Sequence, residues 1–136
     1  MCGKIIFGLL LAGLLLAGCG KAALRDGVYA GRSGEDDTGA WGEVSITISE
    51  GKVASCEFVT MQKDGTVKGE DYGKVNGEIS NADFYARAQL AVRAMRQYAA
   101  AYARTGDLKE VEAVSGATIA YNQFLEAVED ALERAK

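Results

Sequence analysis

Few residues in this sequence are equipped to do chemistry, and the missing types exclude most of it. There is no histidine among the 136 residues. That removes Ser-His-Asp and Cys-His nucleophilic sites, His-ligated metals and the usual general base near neutral pH. Glu35, Asp36 and Asp37 follow one another, but their spacing fails the EF-hand pattern and its closing glutamate is missing. They read as a solvated loop, and no metal site is expected. What remains is a run of small residues, Ser115-Gly116-Ala117-Thr118, with Glu112 three positions ahead of it. Glycine there permits a tight turn and the close approach of another molecule. Thr118 stands just before an amphipathic stretch, where free helix N–H groups and the helix dipole favour a phosphate. A hydroxyl so placed suits a phosphoester. Plain helix capping by Ser115 or Thr118 is the other reading.

The cysteines sort by position. Met1 to Gly18 carries one cation, Lys4, and an apolar run from Ile5 to Leu16. That run is too short to span a hydrocarbon core of roughly 30 Å as a helix, and it suits a signal peptide. It closes in Leu16-Ala17-Gly18-Cys19, which resembles the lipobox of bacterial lipoproteins at all four positions. The resemblance implies cleavage before Cys19 and lipidation of its thiol and new amino group. Residues 1–18 are then a signal peptide and 19–25 a lipidated tether, with the acyl chains (palmitate among the expected ones) holding 26–136 to a bacterial membrane on its extracytoplasmic side. Two or more acyl chains anchor stably. Cys2 leaves with the signal, so Cys56 stays alone and no internal disulfide can form. In the alternating stretch Val53-Ala54-Ser55-Cys56-Glu57-Phe58-Val59 it reads as a small buried hydrophobe.

The elements that must hold the Ser115–Thr118 run follow from periodicity. At 49% hydrophobic and 25% charged, the composition is that of an ordinary globular chain rather than a disordered one. A net charge of −4 argues against a nucleic-acid partner, since phosphate backbones select basic surfaces. Asp26 to Gly31 reads as a short strand, and residues 32 to 40 as a polar loop. Val44, Ile46 and Ile48 alternate with Ser45, Thr47 and Ser49, the period of a strand with one wet face. Glu50-Gly51 turns it back into a second strand over Lys52 to Met61. The simplest register sets Glu57 opposite Val44, which a bulge would repair. Lys63 to Glu78, with four glycines, holds one short edge strand or none, and a loop of this length is often functional. Ser80 or Asn81 then caps a helix whose stripe is Phe84, Ala88, Ala91, Met95, Tyr98 and Tyr102, stopping at Gly106. A second helix runs from about Ile119 to Arg134, with Tyr121, Leu125, Val128 and Leu132 inward. Glu126, Glu129, Asp130 and Glu133 form its wet, solubilising face. Strands followed by helices predict an α+β domain, a small, mostly antiparallel sheet with two main helices packed on one face.

Ser115-Gly116-Ala117-Thr118 followed by an amphipathic helix resembles the attachment motif of the FMN-binding domain family. That family includes the FMN-carrying subunits of sodium-pumping NADH:quinone reductases and Rnf complexes, and many small lipoproteins. Asp26–Gly31 is similar to its opening strand, Gly42–Ile48 with Gly51-Lys52-Val53 to its hairpin, and Glu126–Leu132 to its closing helix. The resemblance implies covalent FMN on Thr118 through a phosphoester, with Ser115, Gly116, Ala117 and Glu112 shaping the site. It also implies a membrane-associated flavin transferase that uses FAD as FMN donor with magnesium. Glu112 departs from the pattern, because the family usually has aspartate at that place. Trp41, Tyr29, Tyr72 and Tyr85 are aromatic candidates for contacts with the ring, set against packing roles. No nicotinamide-binding pattern is present, so the expected role is an electron-transfer carrier rather than a complete oxidoreductase, with no catalytic residue of its own. The alternative is a flavin-free lipoprotein module that binds a partner through the 63–78 loop.

Overall fold

The computed structural model describes residues 23–136. The expected signal peptide, Cys19 and the part of the expected tether up to residue 22 lie outside the described residues. Strand β1 (Gly27–Arg32) is followed by β2 (Trp41–Ser49) and β3 (Lys52–Met61). Helix α1 (Ala82–Thr105), a single 3-10 turn (Leu108–Glu110) and helix α2 (Thr118–Ala135) complete the chain. The three strands form one antiparallel sheet in the order β1-β2-β3. α1 packs on β3 and α2 on β1 and β2, which puts both helices on one face of the sheet. The fold is therefore the α+β arrangement that the pattern predicts.

The hairpin shows how local chemistry sets register. Glu50 and Gly51 both take left-handed backbone angles, the combination that matches the twist of a two-residue hairpin. The amide of Gly51 donates to the Asp26 carboxylate at 2.9 Å. A register shift between Thr47 and Ile48 is the bulge that the misplaced Glu57 calls for. It sets Phe58 opposite Val44 and turns Glu57 outward beside Ser45. Val44, Ile46 and Ile48 thereby share the inner face with Phe58 and Thr60.

Asn81, not Ser80, caps α1, its side-chain oxygen accepting from the Phe84 amide at 2.9 Å. Gly106 ends the helix in the left-handed conformation and donates to the Tyr102 carbonyl. Two expected stripes need correction. Phe84 is 51% exposed, because it lies at the rim of a cavity rather than over the sheet. On α2 the buried apolar residues are Ala120, Phe124, Ala127, Val128, Ala131 and Ala135, while Tyr121, Leu125 and Leu132 pack only partly against the core. Small side chains let α2 come close to the sheet, so alanines occupy the contact line and the larger residues flank it.

The acids of α2 also do more than keep it soluble. Glu126 accepts from the Gly34 amide and Asp130 from the Arg32 amide, both at 2.9 Å. The end of β1 is thereby tied to the helix. The Arg32 amide bond first, and then the Arg134 hydrogen bond at 2.9 Å with its charge, hold the Asp130 carboxyl below its ordinary range. At the C-terminal end of α2, the Arg25 amide donates to the Ala135 carbonyl at 2.8 Å, and Leu24 packs against the core. Among the described residues, no helix is long and apolar enough to cross a membrane.

Candidate functional site

The segment from Val111 to Thr118 joins the two helices, and its shape comes from three local devices. The Ala117 amide donates to the Val114 carbonyl at 3.0 Å, closing a turn over Ser115 and Gly116. Gly116 sits at φ 86°, and a Cβ there would also crowd the Leu90 side chain at 2.9 Å. Only glycine fits both demands. From α1, the Tyr98 hydroxyl accepts from the Val114 amide at 2.8 Å and donates to the Ala117 carbonyl at 3.1 Å.

Thr118 is the first residue of α2, with Ala117 in the cap position and no side chain capping the helix. Neither Ser115 nor Thr118 serves as a cap, so the first-turn N–H groups keep their bonding capacity. The Thr118 side chain is exposed. An exposed hydroxyl at an uncapped helix N-terminus can meet a phosphorylated molecule without displacing a structural bond.

Thr118 also stands on the edge of a cavity of about 580 Å³, a size ordinary for a cofactor site. Its apolar wall comes from Tyr72, Phe84, Ala88, Ala91 and Met95. Its polar edge comes from Asp36, Lys68, Arg87 and Gln123. Burial raises the Asp36 carboxyl, but hydrogen bonds from the Thr38 hydroxyl and the Ala40 and Thr38 amides, with the nearby Lys68 charge, outweigh it. The net result is a carboxylate held below its ordinary range, ionised at neutral pH and committed to its own loop. Lys68 lies over the Tyr72 ring, with its ammonium 4.8 Å from the centroid. Gln123, 5% exposed, reaches across to the Ala40 carbonyl at 3.1 Å and so fixes the acidic loop to α2.

The structure therefore brings Gly116, Ala117 and Thr118 to one edge of a cavity, whereas Ser115 and Glu112 are exposed on the preceding segment and are not part of its lining. Of the aromatic candidates, Tyr72 lines this cavity, whereas Trp41, Tyr29 and Tyr85 do not. Trp41 instead stacks under the Arg32 guanidinium, 4.1 Å from its centroid, and donates to Glu43. Sequence reasoning missed Phe84, Met95, Lys68, Arg87 and Gln123 as members of the site. The signal available for Phe84 was its place on the first turn of α1, beyond the edge of the sheet. The 63–78 segment folds back on α1, where the Gln89 amide donates to the carbonyls of Gly69 and Tyr72 at 3.0 and 2.9 Å. It contributes Lys68 and Tyr72 to the cavity.

Among the described residues no group of acids and cysteines is arranged to hold a metal ion. Cys56, partly buried on β3, has its thiol pushed up to about 12 by burial and then by the Glu57 charge. It is an inert packing residue.

Comparison with known proteins places this geometry. Residues 39–133 match the model of a family described as FMN-binding domain. The fold is similar to the crystal structure of CPE2226 protein from Clostridium perfringens, with a TM-score of 0.64 and 22% sequence identity over 82% of this chain and 88% of that one. No curated protein matches the sequence.

Proposed function

Since the chain belongs to the FMN-binding domain family, we propose that it is a membrane-anchored, extracytoplasmic electron carrier holding FMN through a phosphoester on Thr118. The observation that carries this reading is the uncapped, exposed Thr118 at the edge of a cavity with a largely apolar wall. The residues fit the group. Tyr72, Phe84, Ala88, Ala91 and Met95 offer flat and small surfaces to a planar ring, and the first turn of α2 offers N–H groups to a phosphate. FMN, once bound, supplies the electron-transfer chemistry. The protein supplies place and surroundings: Lys68 and Arg87 bring positive charge to the cavity, and the Asp36 carboxylate is kept in its loop by its own bonds.

Attachment is a group transfer with FAD as donor. The Thr118 hydroxyl would be the group esterified by the FMN phosphate, with AMP as the leaving group of FAD and the hydroxyl proton released to solvent. Glu112, exposed ahead of the turn, is placed to be read by the transferase that performs this step, with magnesium. A covalent link suits a protein outside the cytoplasm, because tethering fixes a high local concentration where a free cofactor would be diluted away. Anchoring through Cys19 follows from the lipobox and gives the carrier its place at the membrane.

The reading is tested by co-expression with a flavin transferase. Flavin absorbance that stays with the protein through acid denaturation is the expected result. A colourless protein from cells with an active transferase would overturn it.

A further inference from the structure

We infer that Tyr98 is a positioning residue for the transfer of FMN onto Thr118, acting by locking the turn that presents the hydroxyl. The inference rests on the covalent reading above and concerns a residue on α1, in neither the motif nor the cavity wall.

The Tyr98 phenol is 1% exposed. Its ring lies against two α2 residues, edge-on to Tyr121 at 5.5 Å and stacked on Phe124 at 6.0 Å between centroids. The ring is thus fixed by packing, and its oxygen cannot follow the loop. That oxygen accepts from Val114 and donates to Ala117, the two residues at the ends of the turn. The Ala117 carbonyl also receives the first helical bond of α2, from the Tyr121 amide at 3.0 Å. One buried atom therefore holds both ends of the turn and the start of the helix, and Thr118 is the next residue. Burial raises the phenol's pKa against the opposing Val114 bond, so the proton it donates stays in place. Tyr102, one turn further along α1 and equally buried, has a hydroxyl that makes no bond to this turn.

A reacting group that is less well held loses rate even when the fold survives. Without the phenol oxygen, the Val114 amide loses its partner and the turn keeps only the Ala117–Val114 bond. The transferase then meets Thr118 in many orientations.

The test uses the apo chain with purified transferase, FAD and magnesium, well below the melting temperature of every variant. Tyr98→Phe is expected to slow FMN incorporation by about tenfold, while Tyr102→Phe, which removes a phenol hydroxyl from the same helix without touching the turn, proceeds at the wild-type rate. Hydrogen exchange supplies a readout that general stability would not move. The Val114 amide is slow in wild type and becomes fast in Tyr98→Phe, while amides in β2 stay unchanged. Should Tyr98→Phe not fold, Gly116→Ala disturbs the same turn from its other side and is expected to slow incorporation likewise. Equal rates for Tyr98→Phe and Tyr102→Phe, or a wild-type rate for Gly116→Ala, would overturn the inference while leaving covalent attachment standing. No incorporation into wild type would overturn both.

Discussion

Gly31 on β1 lies directly beneath Ala127 on α2, so close that a side chain at Gly31 would collide with the Ala127 carbonyl. The missing Cβ lets the helix settle on the sheet, and the seat of α2 fixes where its first residue, Thr118, emerges. Gly31→Ala is therefore expected to destabilise the domain by about 1–3 kcal/mol, the usual cost of overpacking a close contact. A denaturant titration with an unchanged midpoint would show that α2 does not depend on this contact.

The middle of α2 is held by large rings. Phe124 meets Phe58 edge-on at 5.0 Å between centroids and is fully buried, whereas Leu132 is only partly buried. Phe124→Ala should cost about 3–5 kcal/mol and Leu132→Ala clearly less. Equal losses of melting temperature would mean that the helix is rotated from the orientation described.

These two residues show what was legible in the sequence. The alternation of Val44, Ile46 and Ile48, the Glu50-Gly51 turn, the bulge demanded by Glu57 and the stop at Gly106 are consequences of local chemistry. They could be read from neighbouring residues. The rotation of α2 could not. Its buried line is mostly alanine, and alanine gives weak periodicity beside Leu125 and Leu132, which sit at the margin. The Ser115–Thr118 run was visible as a motif, but the cavity beside it is built from segments around residues 36, 68, 84 and 120, and nothing local ties them together. Likewise, Glu126 and Asp130 look like surface charge until the backbone of Arg32 and Gly34 arrives next to them.

Alkaline behaviour follows from two weak acids, buried Tyr102 and partly buried Cys56. The Cys56 thiol moves from 9.0 to about 12 through burial and then the Glu57 charge, and the Tyr102 phenol from 10.0 to about 12 through burial first. The folded chain holds both protons more tightly than the unfolded chain does. Stability from these groups is complete below pH 9 and is lost as pH rises towards 12. Melting temperature should fall over that window, and Cys56→Ala should soften the fall. Folded protein at pH 8 should leave a thiol-reactive disulfide reagent untouched. Rapid labelling there would contradict the buried thiol.

The cavity and the ester bond can be separated. Ala91 lines the cavity wall and is half-buried, so Ala91→Phe should fill the space without touching the attachment run. Flavin should still be attached, but its fluorescence should rise and become open to a soluble quencher. Unchanged fluorescence would place the ring elsewhere.

The anchor is tested apart from the flavin. Cys19→Ala should leave the precursor uncleaved by the lipoprotein peptidase and remove acyl labelling, because Leu16-Ala17-Gly18-Cys19, the proposed lipobox, contains one modifiable cysteine. Persistent labelling would exclude Cys19 as the lipidated residue.

The central claim is that Thr118 bears the cofactor, and the mass of the C-terminal peptide containing it is the most direct measurement. In protein made with an active transferase, that peptide should be heavier by FMN less one water, the balance of a single phosphoester. Thr118→Val keeps the branched shape and removes the oxygen, so it should fold and carry no covalent flavin. Ser115→Ala should weaken modification, and Glu112→Asp should match or exceed wild type. An unmodified wild-type peptide, or flavin retained in Thr118→Val, would contradict the account.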